Sequence, residues 1–232
     1  MKYPALSNRL KACCEFIKQG DRVADIGCDH GYLSIHLLKS GIAASVIAAD
    51  INPMPLDSAR KNAAKYEVSD KITFCLSDGV QSIPRDFDTL VCAGMGADTM
   101  ISILNAAPWL KDSKYRLILQ CQSRRPELRQ YLYENSYCIT AETLAKDGKF
   151  IYPIMEVVYA PALPLSPGSC HISPALLASK SPLLPEFYHR VVDGIRTTVA
   201  GLTNTGGEKL AHYKTVLQQL LEMEELIHGN CR

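Results

Sequence analysis

Five short apolar runs alternate with helical stretches through the first 135 residues, and this order leaves few architectures open. The runs are 22–26 (RVADI), 45–49 (SVIAA), 71–76 (KITFCL), 88–93 (DTLVCA) and 115–120 (YRLILQ). Helical periodicity is expected over 31–40, 54–66, 97–107 and 124–135. Strands fed by helices in this way predict a parallel sheet with both faces covered. Ahead of them Leu6, Leu10, Cys14 and Ile17 recur at helical spacing, so 6–19 reads as an amphipathic helix ending near Gly20.

The pattern changes after Asn135. YCITAETLA and FIYPIMEVVY are β-rich runs joined across Asp147-Gly148, a hairpin signal. The Pro- and Ser-rich stretch 161–183 reads as a linker. Beyond it, Leu184, Tyr188, Val191, Ile195 and Leu202 mark one helix, and Leu210, Tyr213, Leu217, Leu220 and Ile227 a second, with Thr203–Gly207 as the break. Two adjacent helices with a narrow apolar seam predict a coiled-coil-like hairpin. The expected division is therefore 1–160, a linker 161–183, and a helical hairpin 184–230.

Composition narrows the class. Hydrophobic residues are 47% of the chain, enough for a sizeable core. The 25 basic residues nearly cancel the 24 acidic ones, so a nucleic-acid partner would need a local basic face. Nine cysteines without a CxxC pair predict reduced, structural thiols rather than a disulfide framework or a metal site. No segment reads as a secretory signal or a membrane span, so a cytoplasmic protein is expected, monomeric or homodimeric.

In an open parallel sheet, ligands bind outside the carboxyl ends of the strands. Four such ends carry unusual residues here. In VADIGCDHGYL, Asp25 ends an apolar strand, Gly27 permits a tight turn and Gly31 lets the next helix start close to the sheet. A dinucleotide loop would read GxGxxG, but the middle position is Asp29. A carboxylate there repels a pyrophosphate and tolerates a cationic sulfonium. Asp50 ends the next strand, about twenty residues on, where a carboxylate can accept ribose hydroxyls. Asp78-Gly79 ends the third, placed to meet an adenine amino group, and Ala93, Gly94, Met95 and Gly96 end the fourth, leaving room for a flat base. Each alone is also an ordinary turn or helix cap. Spaced together, they fit one nucleoside ligand.

With these residues in view, the chain resembles the bacterial tRNA (adenine-22-N1)-methyltransferase family. LSNRL (6–10), VADIGCDHGYL (23–33), Asp50 with Pro55, SDG (77–79), AGMG (93–96), RLILQCQ (116–122) and GKFIYPIMEV (148–157) carry the resemblance. Ala97, Cys121 and Pro153 depart from the family's usual pattern. The resemblance implies a Rossmann-like class I methyltransferase fold of the α/β class, with a mostly parallel seven-stranded sheet and a helical hairpin at the carboxyl end. It implies S-adenosyl-L-methionine as donor, S-adenosyl-L-homocysteine as product, and no metal. The predicted cofactor contacts are Asp25, Gly27, Cys28, His30, Gly31, Asp50, Ile51, Asp78, Gly79, Ala93, Gly94 and Met95.

Adenine N1 has a free lone pair at neutral pH, so alignment matters more than a strong base. The product is cationic, and Asp29 is the expected carboxylate to stabilise its charge. Tyr32 and Gly96 are expected at the base, with His30 beside it. For tRNA, the candidate phosphate contacts are Arg9, Arg124, Arg125, Arg129, Lys146 and Lys149. Two other readings stay open: a methyltransferase for another RNA base or a small molecule, and a non-catalytic RNA-binding relative.

Overall fold

A computed structural model describes residues 4–203 and 206–229. Its centre is a seven-stranded sheet in the order β3-β2-β1-β4-β5-β7-β6. The strands are β1 Asp21–Ile26, β2 Ala43–Asp50, β3 Ile72–Leu76, β4 Thr89–Met95, β5 Arg116–Cys121, β6 Tyr137–Asp147 and β7 Phe150–Tyr159. The first five are parallel. β7 runs antiparallel between β5 and β6.

The expected Rossmann-like order with a terminal antiparallel hairpin is therefore present. Val23, Ala24, Val46, Ala48, Leu90, Val91 and Ile118 are buried, as strands covered on both faces require.

The helices are α1 Asn8–Glu15, α2 Tyr32–Lys39, α3 Pro53–Lys65, α4 Ala97–Asn105 and α5 Arg125–Glu134. Helices α1 to α3 pack on one face through Cys13, Leu33, Ile35, Leu56 and Ala59. Helices α4 and α5 cover the other through Met100, Leu104, Leu128 and Leu132. Helix α1 is shorter than the predicted 6–19. Ser7 caps nothing with its side chain, and Asp147 at the β6 end accepts the backbone N–H groups of Asn8 and Arg9 at 2.8 and 3.1 Å. A distant carboxylate thus satisfies donors that a local cap usually takes.

Residues 161–183 are irregular at first, then form α6 Pro174–Ala178, capped by the Ser173 side chain. Ile172 and Leu176 there are fully buried, so the stretch contributes to the core as well as connecting. They join α7 Leu184–Leu202, α8 Gly207–Glu222 and α9 Glu224–Gly229 in one cluster with Leu144 of β6 and Ile151 of β7. The helical hairpin is therefore seated on the tip of the β-hairpin. Among the described residues, no helix is long and apolar enough to cross a membrane.

The eight described cysteines are free thiols, and most are buried; Cys231 lies outside the described residues. Burial pushes the Cys92 and Cys14 thiols up to about 12, which suits packing rather than nucleophilic roles.

Candidate functional site

Parallel strands point their carbonyl ends to one edge, and there β1, β2 and β4 enclose a cavity of about 400 Å³. The first loop contributes Asp25, Gly27, Cys28, Asp29 and His30, followed by Tyr32 of α2. The second and fourth strand ends contribute Asp50, Ile51, Ala93, Gly94 and Met95. Arg9 and Leu10 of α1 close one wall, with Leu33 behind them.

The loop is shaped by backbone rather than side-chain packing. Gly27 and Cys28 donate to the Ala49 carbonyl at 2.8 and 3.0 Å, which folds the loop across the end of β2. Gly31 sits at φ +71°, and a Cβ there would lie 2.9 Å from Ala59 Cβ of α3. Asp29 adopts φ 50°, a left-handed conformation uncommon outside glycine. Its N–H donates to Asp50 Oδ2 at 3.1 Å, and the N–H of Asn52 donates to Asp50 Oδ1 at 2.9 Å. Each Asp50 oxygen keeps a further lone pair for a ligand hydroxyl.

Asp25 is 4% exposed and takes a 2.6 Å hydrogen bond from Ser34 Oγ. Burial is the main reason its carboxyl is pushed up to about 6, against the Ser34 bond; the charge of Asp50 adds to the rise. No cationic side chain pairs with it among the described residues. A buried carboxylate facing a cavity without a counter-ion favours a positively charged ligand.

The cation lining this cavity is Arg9. Its Nη1 donates to Gln120 Oε1 at 2.9 Å, and Gln120 is fully buried. A Cβ on Gly94, which holds φ +90°, would approach Arg9 Nη1 to 3.3 Å. Glycine at 94 thus serves both the turn and the seating of the guanidinium.

At the mouth, Asp29, His30 and Tyr32 stand together and exposed. His30 Nε2 is 3.6 Å from Asp29 Oδ1, and the His30 and Tyr32 ring centroids are 5.9 Å apart.

The remaining predicted residues lie outside the cavity lining. Gly31 shapes the loop without facing the space. Asp78 is exposed in the turn after β3, where Gln81 Nε2 donates to it at 3.4 Å. Gly79 packs against Ile103 of α4, and Gly96 caps α4 beside Ser123. Sequence reasoning gave Leu10 and Leu33 no place in the site, although both fall within the quoted LSNRL and VADIGCDHGYL stretches, and it gave no signal for Gln120.

The expected phosphate contacts fare differently. Arg129 is corrected: it is 1% exposed, ion-paired with Glu142, and donates to the Cys170 carbonyl at 3.1 Å. A buried, paired guanidinium cannot reach a phosphate. Arg124 is exposed but held by Asp98 at 2.7 Å and Glu127 at 3.2 Å. Arg125 is half-buried, 5.3 Å over the Phe187 ring, and donates to the Ile151 carbonyl at 3.4 Å. Lys146 pairs with Glu186 at 2.8 Å, whereas Lys149 is exposed beside Phe150. Arg9 is in the cavity wall rather than on an outer surface.

A second cavity of about 310 Å³ lies between α5, residues 164–171 and α8, with Tyr133, His171 and Tyr213 in its walls. Burial is the main cause that lowers His171 to about 4, so the imidazole is neutral there. This cavity is away from the strand ends.

Comparison with known proteins gives a consistent picture. The sequence profile described as "Methyltransferase domain" matches residues 6–155. The tRNA (adenine(22)-N(1))-methyltransferase of Bacillus subtilis is 34% identical over 146 residues, covering 62% of this chain and 61% of that protein. The match spans about three fifths of the length of the first curated relatives. The structure of Streptococcus pneumoniae Sp1610, a candidate tRNA (m1A22) methyltransferase in complex with S-adenosyl-L-methionine, has 27% identity and a TM-score of 0.79. It covers 97% of this chain and 100% of that one. Bacillus subtilis TrmK, at 24% identity, TM-score 0.79 and coverage of 98% and 99%, shares the fold.

Proposed function

The chain belongs to the methyltransferase-domain family, and on that premise we propose that it transfers a methyl group from S-adenosyl-L-methionine to N1 of an adenine in tRNA, adenine 22. The observation that carries the donor is Asp25, a buried carboxylate that faces the cavity with no cationic partner among the described residues. The acceptor rests on the curated relative from Bacillus subtilis and on the mouth residues Asp29, His30 and Tyr32.

The residues present fit the donor's three chemical parts. Asp25 answers positive charge, Asp50 accepts hydroxyls at the end of β2, and Ile51 offers an apolar surface beside them. Arg9, braced by Gln120, answers the carboxylate of an amino-acid moiety. Cys28, Ala93, Gly94 and Met95 complete the wall. When bound, the donor supplies a methyl group made electrophilic by a cationic sulfur.

The protein's own work is alignment and charge stabilisation. N1 attacks with its lone pair, so no side chain has to remove a proton first. Asp29 then faces the positive charge gained by the base, close to the donor cavity and open to solvent. His30 and Tyr32 offer ring faces for stacking at the same mouth. We assign this chemistry to residues 1–160, with 161–183 as a packed connection to the carboxyl-terminal helices. The cytoplasm, where tRNA and reduced thiols coexist, is the matching compartment.

Incubation with labelled donor and unmodified bacterial tRNA, followed by nucleoside analysis, tests the proposal. The expected product is 1-methyladenosine. Label in another nucleoside, or turnover only on a small molecule, would replace the assigned acceptor.

A further inference from the structure

Most of the cations expected to hold RNA near α5 and the hairpin are neutralised by the protein itself. Arg124, Arg129 and Lys146 each meet a carboxylate within 4 Å. Arg190 meets Glu186 and Arg196 meets Asp193 in the same way. Such cations gain little from a phosphate, because binding one means giving up an existing partner.

Helix α3 presents the opposite arrangement. Leu56, Ala59 and Ala63 are buried and turn one face of the helix to the core. Lys61 and Lys65 lie about 200° and 240° round from Ala59 at 100° per residue, and both are exposed. Neither has a carboxylate within 4 Å among the described residues. Asp57 stands one turn before Lys61 and still forms no ion pair at that distance. Like charges one turn apart oppose helix formation slightly, so an external anion is the natural counter-charge for this pair.

The position of α3 connects that face to the site. Ala59 packs on Gly31, and Asn62 Nδ2 donates to the His30 carbonyl at 2.9 Å. The helix therefore runs from the mouth, beside the residues that would hold the base. Arg60 extends the same basic edge; its guanidinium lies 4.7 Å over Phe74 and retains free N–H groups.

We propose that the outer face of α3, through Lys61 and Lys65, receives the phosphate backbone of the tRNA whose base enters the mouth. This rests on the tRNA-methyltransferase reading above. It moves the RNA path away from α5 and the helical hairpin to the side of the sheet covered by α2 and α3.

The test titrates unmodified bacterial tRNA at several salt concentrations against wild type, K61E/K65E, and the charge-matched K209E/K214E on α8. The α3 variant is expected to lose about tenfold or more in affinity near 0.1 M salt, with the salt slope smaller by about two. Its KM for tRNA rises while kcat at saturating tRNA is retained. Calorimetry with S-adenosylhomocysteine should match wild type, which separates lost RNA contact from lost structure. The α8 variant is expected to stay within about twofold of wild type.

Unchanged affinity in K61E/K65E, or an equal loss in K209E/K214E, overturns the α3 path and leaves the methyltransferase reading intact. A wild-type chain that binds no tRNA removes both. A wild type that binds tRNA through α3 but methylates another position supports this face and corrects the acceptor alone.

Discussion

The cavity at the strand ends and the junction of α5 with β6 and α6 both bury charge, but they treat it in opposite ways. At the junction, Arg129 and Glu142 pair at 1% and 0% side-chain exposure; Arg129 also donates to the Cys170 carbonyl and Glu142 accepts from the Ser173 hydroxyl, while Arg129 Nε has no partner among the described residues. At the strand ends, Asp25 is almost as buried and, among the described residues, has only Ser34 as a side-chain partner. Desolvation is compensated internally in one place and left for a ligand in the other. Unpaired charge marks the site; paired charge marks architecture.

The largest expected effect breaks the paired side. Arg129→Met leaves Glu142 buried without its cation and should lower unfolding free energy by about 3–5 kcal/mol in urea titrations. Adding Glu142→Leu should restore much of that loss. If the single variant is as stable as wild type, the junction does not depend on the pair.

On the unpaired side, Asp29→Ala should slow single-turnover methyl transfer about 100-fold, with S-adenosylhomocysteine affinity kept within about threefold. Comparable turnover would remove Asp29 from the chemistry.

Asp25 contrasts with both. Its carboxyl stands at about 6 rather than 3.8, so the folded protein takes up this proton more readily than the unfolded chain. The resulting stability penalty is fully present above pH about 6 and is relieved as the pH falls from there toward about 4. Asp25→Asn should therefore stabilise the unliganded protein at pH 7 by on the order of 2 kcal/mol. Donor binding should move the other way, weakening in Asp25→Asn and, in wild type, as the pH drops below about 6. Calorimetry at pH 7 and 5 checks both signs; pH-independent affinity would place the cationic ligand elsewhere.

The smallest effect is assigned to Arg124. Because Asp98 and Glu127 already hold it, Arg124→Ala should leave tRNA affinity within about twofold. A steep loss would show that those ion pairs open for RNA.

The residues at the ends of β1 and β2 were legible because their signal is local, whereas Asp78 and Gly79 after β3, read by the same logic, lie outside the cavity lining. An apolar run that stops at Asp25 or Asp50, with glycines at 27 and 31, defines a turn at the edge of a parallel sheet whatever lies beyond. The β-hairpin around Asp147-Gly148 and the two carboxyl-terminal helices were legible for the same reason. Arg129 was misread because an arginine on a helical stretch looks alike whether it faces solvent or Glu142.

Leu10 and Gln120 gave no sign of the cavity. The Arg9–Gln120 bond joins residues 111 apart, and the Asp147 bonds to α1 span 138 and 139. What the sequence determined by itself was the succession of strands and helices and the backbone-shaped loop Asp25–Gly31, since both follow from periodicity and the conformational needs of a few residues. Which charges are spent on one another, which remain for a ligand, and where Arg9 sits were decided only by tertiary structure. Those outcomes depend on desolvation and on partners that the chain meets only after it has packed.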